Sequence, residues 1–104
     1  MNEEDWIFFP REHRLANGSR DVQLPPKTSA VLEYLLDNEN KYVTREAILE
    51  KVWPGLNVTP DLVREHVCHL RAALGDDARS PHYLETRRGQ GFRLLGGIAR
   101  RVPT

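Results

Sequence analysis

Two clusters in this 104-residue chain carry side chains of the types that do chemistry. The first is Arg64, Glu65, His66, Cys68, His69 and Arg71, strung along a segment with helical spacing. The second is Arg87-Arg88 beside Gly89 and Gly91, between two short runs of strand-forming residues. His66, Cys68, His69 and His82 are all metal-ligating types. On a helix, however, His66 and His69 project roughly 60° apart, and Cys68 lies on another azimuth. Neither a Cys-x-x-Cys nor a His-Glu-x-x-His spacing occurs, so no metal or cofactor is expected. A cysteine–histidine nucleophile needs a desolvating pocket, which an outward-facing helical residue lacks. The glycines near Gly89 sit between two strands rather than ahead of a helix, so they are not a nucleotide loop. No enzyme is expected. What the arginines offer is a planar five-donor fork suited to phosphates and base edges.

The distribution of charge agrees with that chemistry. Fifteen basic and fifteen acidic residues cancel overall. Residues 1–52 hold 7 Lys/Arg against 10 Asp/Glu, and residues 53–104 hold 8 against 5. Every basic residue after Lys51 is arginine. An acidic first half and an arginine-rich second half suggest one polyanion-binding face. The apolar share of 39% and charged share of 29% fit a globular fold. The length suits one domain, 1–104. No apolar run approaches the ~18 residues of a membrane span, and the first five residues are acidic where a signal peptide is basic. Cys68 stands alone, so no internal disulfide is expected and a reducing cytoplasm suits the chain.

The elements that must hold these clusters follow from local signals. Trp6-Ile7-Phe8-Phe9 reads as a strand stopped by Pro10. Residues 13–16 and 19–24 flank Asn17-Gly18, a strong hairpin signal, so residues 1–24 form a small antiparallel meander of three or four strands. Pro25-Pro26 opens a helix over Lys27–Asn38 with Val31, Leu32, Leu35 and Leu36 on one face. Thr44 caps a second helix, whose stripe is Ile48, Leu49, Val52 and Trp53 and whose stop is Pro54-Gly55. Thr59-Pro60 opens the third, with Thr59 as cap and Pro60 in the first turn. Val63, Val67, Leu70 and Leu74 make a narrow core stripe, and Gly75 ends the helix. The three helices thus span 26–75. Tyr83–Thr86 and Phe92–Leu95 then form a hairpin, 83–95, around a tip of arginines and glycines. The result is an α+β winged helix–turn–helix: N-terminal β-meander, three helices, C-terminal hairpin wing.

Those residues carry a resemblance. Leu24–Lys27 with Val31-Leu32, Val43–Glu46 through Val52-Trp53, Val63–Leu74, and Glu85-Thr86 through Leu94 resemble the OmpR/PhoB-type effector domain. That domain also occurs in ToxR/CadC-like one-component regulators. The match runs in order over nearly the whole chain. The departures are Thr28-Ser29, where the family usually has Glu and an aromatic, and Cys68-His69, where many members have arginines.

The resemblance implies a bacterial regulator of transcription, cytoplasmic, that binds double-stranded DNA on tandem half-sites. A helix fits the major groove, which makes 60–74 the recognition helix, with Arg64, Glu65, Cys68 and His69 facing the bases. Thr59, His66, Arg71, Thr86 and Arg93 are assigned to the DNA backbone, His66 and Thr86 by register with the family. Arg87 and Arg88 sit on the wing, 86–91, where a narrow positive tip suits the minor groove, Arg88 being the inserted residue by register. Pro54, Gly55, Leu56 and Asn57 match a loop that in the family faces RNA polymerase or the DNA backbone. A receiver or sensor domain is a further implied partner. The free domain is expected to be a monomer, since its apolar stripes are spent on one core. The alternative is a winged-helix module that binds a protein and no DNA.

Overall fold

The computed structural model describes residues 5–102; the ends of the expected 1–104 unit, including the first four residues of the expected meander, lie outside the described residues. Three short strands open the chain: β1 (Trp6–Phe9), β2 (Arg14–Ala16) and β3 (Asp21–Gln23). They pair antiparallel, with Phe8 opposite Leu15 and Leu15 opposite Val22. Trp6, Phe8 and Leu15 point inward and are buried, as the period-2 pattern requires. The β2–β3 turn forms at Asn17-Gly18, but by another route than a two-residue reverse turn. Among the described residues, neither Asn17 nor Gly18 has positive φ. The Asn17 side-chain oxygen instead accepts from the Ser19 and Arg20 amides at 3.0 and 2.8 Å, closing a longer Asx-type loop.

Three helices follow: α1 (Pro26–Asp37), α2 (Arg45–Val52) and α3 (Asp61–Leu74). Pro26 sits in the first turn of α1, where its missing N–H costs nothing. Thr44 caps α2 by accepting from the Ala47 amide at 3.0 Å. Lys27 donates to the Val52 carbonyl at 2.9 Å, so a cation from α1 closes the negative end of α2. Gly75, left-handed at φ 68°, stops α3. The Gly75 and Asp76 amides return to the Ala72 and Arg71 carbonyls, the Schellman arrangement.

Beyond α3 come β4 (Leu84–Arg87), β5 (Gly91–Leu94) and β6 (Ile98–Arg100). The hairpin β4–β5 is the wing, with Glu85 opposite Arg93 and Thr86 opposite Phe92. Val43, just ahead of α2, bridges to Phe92 through two backbone hydrogen bonds of 2.7 and 2.9 Å. The N-terminal sheet differs from a purely antiparallel meander. Its fourth strand is β6, which lies parallel to β1 in the order β3-β2-β1-β6. Residues 98–100 offer one large apolar side chain, Ile98, and their partner lies some ninety residues back, so local patterning carries no sign of the pairing. Arg100 then bonds Asp37 on α1 at 2.6 Å. One cluster of buried apolar residues joins both sheets and all three helices. This is the winged helix–turn–helix fold.

Candidate nucleic-acid interface

The helix that carries the first cluster is held by Val63, Val67, Leu70 and Leu74, all buried along one stripe. That anchorage turns Arg64, Glu65, Cys68 and His69 outward, and all four are exposed. Among the described residues Arg64 and Cys68 have no hydrogen-bond or ion-pair partner. His69 meets only the His66 ring, edge-on at 5.8 Å. This is a solvent-facing row of donors and acceptors of mixed sign on a rigid support.

His66 stands at the edge of that row. Its Nδ1 lies 2.7 Å from the hydroxyl of Thr28, which is fully buried on α1. Its ring rests against Trp53 at 5.3 Å between centroids. Burial and then the neighbouring His69 lower its pKa, which favours the neutral imidazole over the charged one. One ring nitrogen is thus committed inside the protein, and only Nε2 remains for an outside partner. Thr28 is one of the departures from the family pattern, and this bond gives it a position-specific role. Trp53 is itself 6% exposed and belongs to the core, as its place on the α2 stripe requires.

The α2–α3 connection exposes Pro54, Gly55, Leu56 and Asn57. Gly55 turns the chain at φ 74°, and Leu56 is 60% exposed. Thr59 is also exposed, but its hydroxyl does not cap α3. The Leu62 and Val63 amides instead reach the Thr59 and Pro60 carbonyls at 3.1 Å each. Backbone bonds of the tighter 3₁₀ kind take the donors the hydroxyl was expected to satisfy.

At the wing tip Gly89 and Gly91 have φ of 81° and 110°, so both supply the positive φ the turn demands. Gly91 does more. A Cβ there would collide with the Val43 carbonyl, lying 2.8 Å from its carbon and 2.9 Å from the Thr44 Cα. Arg88 is exposed with no partner among the described residues. The other wing arginines are engaged. Arg93 pairs with Glu85 at 2.8 and 2.9 Å, and its guanidinium lies over the Tyr42 ring at 4.6 Å. Arg87 covers the same ring at 5.6 Å. Tyr42 donates to Glu85 at 2.8 Å. That bond, with the Arg93 guanidinium, holds the Glu85 carboxyl below the ordinary range. Arg93 is therefore neutralised by a cross-strand partner rather than standing free for a phosphate.

Arg71, also assigned to the DNA backbone, is turned inward. Its Nη2 donates to the Leu84 carbonyl at 3.1 Å and to the Thr86 hydroxyl at 2.6 Å. Two further residues organise the site and gave no local signal. Tyr42 lies in a polar turn where nothing marks it as a platform for two arginines. Asp76 accepts from the His82, Tyr83 and Leu84 amides at 2.7, 3.2 and 2.9 Å, shaping the approach to β4. Among the described residues no group of three or more His, Cys, Asp or Glu side chains could hold a metal ion.

Residues 19–94 match the family model described as transcriptional regulatory protein, C terminal. The transcriptional regulator HilA of Salmonella typhi is 34% identical over 90 residues, covering 86% of this chain and 16% of HilA. The chain therefore spans about a sixth of that relative. Among solved structures, the DNA-binding domain of E. coli CadC superposes with a TM-score of 0.78 at 23% identity, over 90% of this chain and 89% of that one. The Klebsiella pneumoniae RstA DNA-binding domain, solved in complex with the RstA box, gives 0.71 at 23% identity, over 83% and 86% of the two chains. With the family model covering most of its length, the chain belongs to the transcriptional regulatory protein C-terminal family, the winged helix–turn–helix domains of OmpR/PhoB type.

Proposed function

We propose that this domain binds double-stranded DNA sequence-specifically to regulate transcription, with α3 in the major groove and the wing at the minor groove. The observation that carries the reading is the pairing of two unengaged surfaces: the outward row on α3 and the unpartnered Arg88 at the wing tip. Arg64 forks to guanine, Glu65 accepts from cytosine, and Cys68 and His69 complete the base-facing row. Thr59, Thr86 and the free Nε2 of His66 supply backbone contacts, which fix register without reading sequence. Arg88 enters the minor groove with Arg87 beside it, attracted where that groove is narrow and A·T-rich. Arg93 adds charge at longer range, since Glu85 already occupies its fork. The exposed turn of Pro54, Gly55, Leu56 and Asn57 is the surface offered to RNA polymerase. The domain acts in the cytoplasm as part of a regulator with a receiver or sensor, and pairs only on tandem half-sites about one helical turn apart.

Selection of bound sites from random duplexes, followed by affinity measurements at several salt concentrations, tests this. Each lost phosphate-like contact lowers the slope of log affinity against log salt by about one. Arg88→Ala should weaken binding to all duplexes and flatten the slope, most on A·T-rich flanks. Arg64→Ala should cost roughly 1–3 kcal/mol at one position and relax preference there. Equal affinity for selected and scrambled duplexes removes specific recognition. No binding to either at low salt leaves the protein-interaction module.

A further inference from the structure

We propose that Arg71 is a positioning residue: it clamps the wing to the recognition helix and presets the Thr86 hydroxyl, without itself touching DNA. The inference rests on the DNA-binding reading above and deepens it. Arg71 lies on α3, and both of its acceptors, the Leu84 carbonyl and the Thr86 hydroxyl, lie on β4. Among the described residues no other hydrogen bond joins α3 to the wing strands. The guanidinium is thus the direct polar link between the two surfaces that must enter adjacent grooves.

Its environment fits a clamp better than a phosphate contact. Nε is buried without a partner, and no carboxylate stands within ion-pair distance among the described residues. A half-buried charge with an unsatisfied donor is unfavourable, and such a group persists where the rigid fork is what the site needs. The bond to Thr86 also has a direction. The hydroxyl oxygen accepts from Nη2, so its own proton is released for another acceptor. Thr86 is exposed, so that proton is available to a backbone phosphate. Arg71 acts through Thr86 and through the angle of Arg88.

The test compares Arg71→Met, which keeps the apolar stem, and Arg71→Lys, which keeps the charge and loses the fork. Both are measured alone and combined with Arg88→Ala, on a duplex taken from the selection and over several salt concentrations. The clamp predicts that Met and Lys lose affinity alike, by roughly tenfold. It predicts a less than additive loss when either is added to Arg88→Ala, because the part that acts through the angle of Arg88 is already gone and only the Thr86 part remains. It also predicts faster amide exchange over 84–87 in the DNA-free domain, with α3 unchanged. A direct phosphate contact predicts the opposite: Lys near the parent, Met additive with Arg88→Ala, and a salt slope lower by about one. That pattern, or parent-like affinity in both variants, overturns the proposal. If the parent shows no specific binding, the DNA reading fails, and the exchange measurement still decides the clamp. Should Arg71→Met not fold, Arg71→Lys with the exchange readout decides it alone.

Discussion

Replacing Gly91 by alanine separates close approach from turn conformation. Gly89 and Gly91 both have positive φ, but only Gly91 lies against backbone. At Gly89 a Cβ would find nothing within 4 Å, so Gly89→Ala carries the conformational penalty alone, about 1–2 kcal/mol. At Gly91 the Cβ would press on the Val43 carbonyl and the Thr44 Cα, neither of which can rotate away. Relief requires the wing to leave Val43 and give up the two backbone bonds that bridge Val43 to Phe92. At about 1 kcal/mol each these add about 2, bringing Gly91→Ala to about 3–4 kcal/mol. A domain of this size holds roughly 5–15 kcal/mol in total, so the variant should fold but melt well below the parent. Chemical denaturation of the parent and both variants measures the difference. If Gly91→Ala comes within 1 kcal/mol of Gly89→Ala, the bridge to Val43 does not hold the wing. The separation of the two functions of that glycine would then be wrong.

The remaining expectations concern the supports of the site. Leu70→Ala, at a fully buried stripe position, should cost roughly 2–4 kcal/mol through lost burial and a cavity; a parent-like melt would mean that α3 is rotated from its assigned face. Thr44→Ala removes the acceptor for the Ala47 amide and should cost about 1 kcal/mol in the same denaturation assay. His66 is held below its ordinary value of 6.5, so the unfolded chain binds the proton more readily than the folded one. Its contribution is therefore undiminished above about pH 6.5 and is lost as pH falls from there through the folded value. Stability measured between pH 7.5 and 5.5 should fall less steeply in His66→Gln than in the parent, and an equal slope would show that burial of this ring is not what opposes its protonation.

The helices and the outward face of the third were legible in the sequence because their determinants are local. Val63, Val67, Leu70 and Leu74 recur at the helical period, and a stripe that narrow leaves Arg64, Glu65, Cys68 and His69 no direction but out. The Thr44 cap, Pro26 in a first turn and Gly75 as a stop act within four residues of themselves. The positive φ of Gly89 is equally local. Tertiary structure alone decided which cations are free. Arg88 and Arg93 are alike in sequence, both on a basic hairpin. The cross-strand register sets Glu85 against Arg93, and the fold brings Tyr42 beneath it, while Arg88 has no partner among the described residues. Arg71 was assigned to a phosphate, but its three-methylene stem lets the fork turn back to β4, whose place beside α3 depends on packing across the whole core. Ile98–Arg100 found β1 for the same reason. Three residues carry too little pattern to announce a strand, and the edge they complete exists only once the rest of the chain has folded.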